Sequence, residues 1–244
     1  QAFAGAPDYY GGDFRQEIQS GNLRNEDLIH RLHEIISQNH HALGYDPARK
    51  QLFGRIYLNQ SGKDWAVTDV YCEKEYRNSD FPRLGLGPGV YPKDGTILNT
   101  EHTWPQSRFT GRFSRDLQKS DLHHLFPTDS EMNSHRSALH FGDVAETVEN
   151  LKCSESRLGH AQSGEIVFEP PKAHRGNVAR AIFYFATRYE MKINDQEESS
   201  LKKWNHDDPV DAFEMERNDE IQDLQGNRNP YIDMPELLDQ IRDF

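Results

Sequence analysis

The sequence predicts a mixed α+β fold, mainly helical and in a single domain spanning residues 1–244. Three observations predict it. Apolar residues recur at helical spacing in long stretches of both halves. Short runs of β-formers lie between them, notably Trp65 to Cys72 and Thr96 to Trp104. No apolar run approaches the length of about 18 residues that a membrane span needs. Helices with a few short strands are the pattern of an α+β unit.

The elements follow in order. Residues 1–24 are expected to be an extended N-terminal segment. The opening Gln1-Ala-Phe-Ala-Gly-Ala-Pro7 lacks the basic and apolar regions of a signal peptide. It is either the end left after one was removed or a chosen boundary. Leu28, Leu32, Ile35 and Ile36 predict a helix over Asn25–His40, with Asn25 as its N-cap. Leu52 to Leu58 reads as a strand or a buried helix end. Val67, Thr68, Val70 and Tyr71 make Trp65–Cys72 a strand. Residues 78–96 carry Pro82, Gly85, Gly87, Pro88, Gly89, Pro92 and Gly95, which predicts a long loop or lid. Thr96–Trp104 reads as a short strand ended by Pro105. Asp129 can cap a helix from Ser130 to about Leu139. Val178–Lys192 is a helix with the face Ala181, Ile182, Phe185 and Tyr189, capped by Asn177. Ser199–His206 and Pro209–Gln225 complete the set, with Pro209 in the first turn.

Composition narrows the function classes. The 13 Phe, 10 Tyr and 3 Trp need a core and argue against disorder. The net charge of −12 speaks against a protein that grips nucleic acid over its whole surface. The charge is uneven. Residues 190–244, the acidic helical end of the domain, hold 16 acids and 6 bases, a net of −10. That segment is a solvated face, a device that confines a polyanion to the site, or a high-salt adaptation. The middle of the chain is different: residues 101–142 are locally neutral and carry five of the 12 histidines. Cys72 and Cys153 are either two buried thiols or one bridge. A bridge would close a loop of roughly 80 residues and be worth about 4 kcal/mol on the loop-entropy model.

The densest chemistry lies in Glu101-His-Thr-Trp-Pro105, Asp121-Leu-His-His-Leu-Phe-Pro127 and Asn133-Ser-His-Arg-Ser137. Phosphodiester hydrolysis needs a base for water, a cation to neutralise charge in the transition state, and help for the leaving oxygen. Histidine suits the base. Mg²⁺ suits few protein oxygens, such as those of Glu101 and Asn133. A zinc reading fits poorly, because His123 and His124 are adjacent and no paired-histidine spacing with a nearby acid is present. On residue types alone, a histidine such as His102 is more often structural than catalytic, and an asparagine such as Asn133 is usually a helix-surface residue. There is also a geometric demand. Neighbours in a strand face opposite sides. Glu101 and His102 therefore share a site only at a bulge, at a strand end, or across an edge.

Asn99-Thr-Glu-His-Thr-Trp-Pro-Gln-Ser107, Lys119-Ser-Asp-Leu-His-His-Leu-Phe-Pro-Thr-Asp129 and Asn133-Ser-His-Arg-Ser137 together resemble the endonuclease I family. These are bacterial periplasmic and extracellular non-specific nucleases. The resemblance continues at Asp69-Val-Tyr-Cys72, at Arg175-Gly-Asn-Val-Ala-Arg-Ala-Ile-Phe-Tyr184, at Arg217-Asn-Asp-Glu-Ile-Gln222 and at Gln225-Gly-Asn-Arg-Asn-Pro-Tyr-Ile-Asp233. It implies a ββα-metal (His-Me finger) core, with His102 as general base and Glu101 and Asn133 as Mg²⁺ ligands, Mn²⁺ or Ca²⁺ being substitutes. It implies export, DNA and RNA as substrates, 5′-phosphate products and a monomer. Export favours the Cys72–Cys153 bridge.

The arginines remain divided. Arg136 shares a helix face with Asn133 and either holds the scissile phosphate or pairs with Asp129 or Glu131. Arg228, in Gly226-Asn-Arg-Asn229, either joins catalysis or belongs to a turn that caps a helix, and Asn227 beside it is a candidate substrate contact. Arg108, Arg112 and Arg115 suggest a small basic patch, with Arg108 and Arg112 the substrate-binding candidates. His123 and His124 read as structural. Two other readings compete: a small-substrate metal-dependent phosphodiesterase, and a catalytically silent nucleic-acid-binding module.

Overall fold

The computed structural model describes residues 8–244. Long buried side chains of one helix organise it. Helix α6 (Arg175–Tyr189) is buried from Val178 to Tyr189 on every side. The amphipathic stripe expected there is therefore a helix in the middle of the core, which is why Phe183 and Tyr184 are as buried as Phe185. Each such ring removed from water stabilises by about 1.5–3 kcal/mol. The helix begins earlier than expected, so Asn177 sits inside its first turn and is not its cap. Gly176 lies in that first turn. A Cβ there would lie 2.0 Å from the carbonyl oxygen of Asp208, so only glycine lets the next helix come this close.

Around α6 pack α2 (Asn25–Ser37), α7 (Asp195–Asp207) and α9 (Pro230–Asp233). Helix α8 (Ala212–Gln225) closes one side. Asp211 caps it by accepting from the Glu214 amide, and Pro209 lies outside it. Arg180 of α6 is buried and pairs with Glu214 of α8, Nε to Oε1 at 2.8 Å.

Two sequence expectations near the N-terminus change. Residues 8–24 are not extended: a 3₁₀ turn at Asp8–Tyr10 leads into helix α1 (Gly12–Gln19), whose Phe14 and Ile18 are buried in the core. The rest of that expected segment, residues 1–7, lies outside the described residues. Asn25 is the first residue of α2, and the cap position falls on Arg24 with no side-chain hydrogen bond.

Helix α3 (Tyr45–Gln51) continues as a π-helical segment, Leu52–Ile56, so the Leu52–Leu58 stretch is a buried helix end. Strands β1 (Asn59–Ser61), β2 (Asp64–Thr68) and β3 (Glu75–Arg77) form an antiparallel meander. The expected Trp65–Cys72 strand stops at Thr68. Beyond it the Asp69 carboxylate accepts the Tyr71, Cys72 and Lys74 amides and turns the chain. Cys72 is bonded to Cys153.

Strand β4 (Leu98–His102) pairs antiparallel with β5 (Leu125–Asp129) as a two-stranded ribbon, and α5 (Ser130–Arg136) follows at once. Between β4 and β5 lies the short helix α4 (Arg115–Ser120), packed against α3. A four-stranded sheet completes the fold: β6 (His140–Phe141), β7 (Glu146–Glu149), β8 (Arg157–His160) and β9 (Ile166–Glu169), in the order β6-β9-β8-β7. It was not foreseen, because strands of two to four residues carry too little period to register. No helix among the described residues is long and apolar enough to cross a membrane.

Candidate active site

Strand β4, strand β5 and helix α5 place the chemistry-bearing residues together. Asp129 ends β5 and caps α5, its carboxylate accepting from the Glu131 and Met132 amides at 3.0 and 3.1 Å. Tyr76 and Lys152 hold that carboxylate from outside. The helix runs only to Arg136, because Ser137 turns to φ 50°. Asn133 and Arg136 therefore lie one turn apart, facing β4.

An open cleft of about 310 Å³ runs along the free edge of β4. Its walls include Asn99, Thr100, Glu101, His102, Gln106, Asn133 and Arg136. The pairing of β4 with β5 is regular through Glu101↔Phe126 and His102↔Leu125, with no bulge. The two side chains do diverge. Glu101 turns toward Tyr71 and Arg136. His102 turns toward Tyr45, Phe109 and His124. Both reach one cleft because β4 has no strand partner on its other edge among the described residues and His102 is its last residue.

Glu101 is 2 % exposed, and burial pushes its carboxyl up from the usual range, against the pull of Arg136 and Tyr71. Both contacts fall on Oε1: the Tyr71 hydroxyl donates at 2.8 Å and Arg136 Nη1 lies at 3.0 Å. Oε2 makes no hydrogen bond among the described residues. The Asn133 side chain, half-buried on the same cleft, makes none either. One carboxylate oxygen and one amide oxygen thus stand open toward shared space. That donor set fits a hard cation that keeps most of its waters. No group of three or more His, Cys, Asp or Glu among the described residues could hold a metal ion.

His102 is held at its far nitrogen. Nε2 lies 3.1 Å from the Lys119 carbonyl oxygen, which can only accept, so Nε2 carries the proton. Nδ1 is left with its lone pair, beside the Gln106 amide at 3.4 Å on the cleft wall. Burial pushes the ring's pKa well below its usual value, so it stays neutral. A neutral imidazole with a fixed tautomer is what a proton acceptor requires.

The arginines separate. Arg136 is 1 % exposed and spends its guanidinium inward. Nη1 donates to the His102 carbonyl at 3.1 Å, Nη2 to the Thr103 carbonyl at 2.6 Å, and the plane covers Phe141. It pairs with Glu101, not with Asp129 or Glu131. As placed, it clamps the end of β4 onto α5 and orients Glu101, which is a positioning role in place of the catalytic one expected. Arg228 does not line the cleft. It is held by Asp233 at 2.7 Å, Asp219 at 2.6 Å and Gln222, a structural knot at the α8–α9 turn. Asn227 is fully buried, donating to the Ile36 carbonyl and the Tyr184 hydroxyl, so its side chain is not presented to a substrate. Arg112 pairs with Glu190 at 2.7 Å, away from the cleft walls. Arg108 stays at the rim, donating to the carbonyl of Ala138, a cleft residue, and lying 3.6 Å from Glu197. His123 and His124 are buried against the carbonyls of Asn227 and Gln118.

Sequence reasoning missed Tyr71, Gln106 and the Lys119 carbonyl. Tyr71 entered the sequence reading as a β-former and as part of the Asp69–Cys72 block, not as a site residue, and a backbone carbonyl leaves no mark in a sequence.

Comparison with known proteins places these blocks in one context. A family profile described as Endonuclease I matches residues 25–236. An extracellular ribonuclease of Bacillus amyloliquefaciens is 36 % identical over 162 residues, covering 59 % of this chain and 53 % of the relative. The chain thus spans about half the length of that relative. A periplasmic deoxyribonuclease of Aeromonas hydrophila is 32 % identical over 206 residues, 76 % of this chain and 84 % of the relative. Endonuclease-1 of Buchnera aphidicola subsp. Baizongia pistaciae is 28 % identical over 223 residues, 85 % and 86 % respectively.

Proposed function

The chain belongs to the endonuclease I family, and from that premise we propose that it is a secreted endonuclease, extracellular or periplasmic, that hydrolyses DNA and RNA. The observation that carries the reading is the pairing of a tautomer-fixed, neutral His102 with the open oxygens of Glu101 and Asn133 on one cleft. Relatives named for DNA and for RNA support both substrates, and their names place them outside the cytoplasm.

His102 takes a proton from water at Nδ1, while the Lys119 carbonyl keeps Nε2–H in place. The hydroxide attacks phosphorus, the bond to the 3′-oxygen breaks, and that oxygen leaves with a proton from solvent. The products are a 5′-phosphate and a 3′-hydroxyl. Glu101 and Asn133 would hold Mg²⁺, with Mn²⁺ or Ca²⁺ as substitutes. When bound, the cation supplies neutralisation of the charge that builds on the phosphoryl oxygens. Arg136 and Tyr71 keep Glu101 Oε1 occupied, so that Oε2 is the oxygen offered.

A gel assay of supercoiled plasmid and of RNA, with and without EDTA, tests this. Nicking that EDTA abolishes is expected, and His102→Ala should lose roughly 10²–10⁴-fold in rate. Cleavage that survives either change overturns the assignment. Labelling of fresh 5′ ends checks the product.

A further inference from the structure

The His102 side of the cleft carries cations that form no ion pair among the described residues. Tyr45 and Phe109 flank the His102 ring, at centroid distances of 5.5 and 6.4 Å. Each of these rings carries its own cations. Lys119 Nζ lies 4.1 Å from the Tyr45 centroid and the Arg49 guanidinium 5.5 Å from it. Arg115 lies 5.7 Å from the Phe109 centroid and reaches Gln106, a cleft residue, at 3.4 Å. Arg49 also covers Tyr91 at 4.5 Å and donates to the Pro92 carbonyl. None of the three forms an ion pair among the described residues, although Asp46 and Asp116 sit on the same two helices.

Contact with a ring face differs from contact with a carboxylate. An aromatic quadrupole holds a cation in place and leaves its full charge to act outward, whereas a carboxylate cancels it. The contrast lies within the same region. Arg108, Arg112 and Arg136 are paired with Glu197, Glu190 and Glu101. In a chain of net charge −12, three ring-held cations packed together by α3 and α4 form a local exception. A polyanion repelled by the rest of the surface finds its favourable path there.

We propose that Lys119, Arg49 and Arg115 form a rail for the sugar-phosphate backbone, contacting phosphates beside the one that His102 attacks. This rests on the nuclease reading above and adds the residues that seat its substrate. The ligand chemistry is a run of phosphodiesters, common to DNA and RNA. Such contacts carry position and no sequence information. The rail therefore predicts cutting without sequence preference on its side of the cleft.

The test is equilibrium binding of fluorescein-labelled duplex DNA and of a matching RNA duplex, in EDTA so that nothing is cut, across a salt series. Each cation removed by Lys119→Gln, Arg49→Gln or Arg115→Gln should flatten the slope of log K against log salt by about 1. Lys119→Arg, which keeps the charge, should keep the slope. Lys63→Gln, in the turn between β1 and β2, should leave it untouched. Wild-type slopes in the three glutamine variants, or equal flattening by Lys63→Gln, would overturn the rail. Flattening with one duplex alone would confine the rail to that polymer. Failure of the wild-type chain to nick plasmid in Mg²⁺ is read separately, and would sink the nuclease reading while the binding slopes still judge the rail.

Discussion

Acidification should unfold this protein through its buried histidines. Four of them, apart from His102, are held neutral by burial. His40 and His124 are pushed down to about 4, and His123 and His174 to about 3. In the unfolded chain each returns to about 6.5. A folded pKa below the unfolded one means stability that is full above 6.5 and is lost as pH falls. Between pH 7.5 and 5.5 the linkage relation gives roughly 1.3 kcal/mol lost per histidine, or about 5 kcal/mol for the four. That is a large part of the roughly 5–15 kcal/mol that holds a domain together. His102 is left out of the sum because it adjoins the proposed metal ligands. Asp121, which touches this cluster, is held low by His40, His123, His124 and Gln225 against the effect of burial, so its own loss falls at more acid pH. Buried Glu101 and Glu214, shifted upward by burial, work in the opposite sense and soften the fall. The assay is urea unfolding at pH 7.5, 6.5 and 5.5, followed by far-UV circular dichroism. A fall of several kcal/mol, steepening below pH 6.5, is expected. A change under about 1 kcal/mol over that window would refute the reasoning, since it would mean the rings are already protonated or solvated in the folded state.

Three further outcomes follow from particular contacts. Arg136→Met leaves Glu101 buried without its partner, a loss of about 3–5 kcal/mol in unfolding free energy; wild-type stability by chemical denaturation would show that Glu101 is solvated. Arg228→Ala breaks the knot with Asp219 and Asp233 yet should leave the plasmid-nicking rate per folded molecule within about twofold, because Arg228 is not on the cleft; a hundredfold loss in a folded variant would restore it to catalysis. Replacing Cys72 and Cys153 by serine opens a loop whose ends are 81 residues apart, and the loop-entropy relation puts the cost near 4.5 kcal/mol; an unchanged thermal midpoint would contradict it.

The pattern of legible and illegible features has a physical cause. Strand β4 and helix α5 could be read because their signals are local: β-formers followed by Pro105 bracket the first, which ends at His102, and the Asp129 side chain starts the second three residues before Met132 joins the core. The choice between the two readings of Arg228 could not be made from the sequence, because its partners Asp219 and Asp233 converge on it only after α8 and α9 fold against each other. A motif shows that a residue is needed and not whether it faces substrate or scaffold. The same holds for Asn227, whose amide is consumed by Ile36 and Tyr184, far away in sequence.

The adjacency of Glu101 and His102 shows how a local rule can point to an arrangement without choosing it. Alternation required the two side chains to part, and they do, one toward Tyr71 and Arg136, the other toward Tyr45 and Phe109. Parting would have made two sites in the middle of a sheet. In a two-stranded ribbon it leaves β4 with an edge unpaired among the described residues, and a phosphate lying across that edge, as proposed, would meet both faces at once. The proposed proton acceptor, His102, and the proposed cation-binding oxygen of Glu101 then approach from opposite sides of the strand, on separate supports. Lys119 anchors the imidazole from α4, and Arg136 anchors the carboxylate from α5. Separate anchors predict separable defects. Substitutions around Arg136 and Tyr71 should raise the Mg²⁺ concentration needed for half-maximal nicking, and those around Gln106 should lower the rate at saturating Mg²⁺. If both classes moved both quantities together, the edge would not be dividing the site.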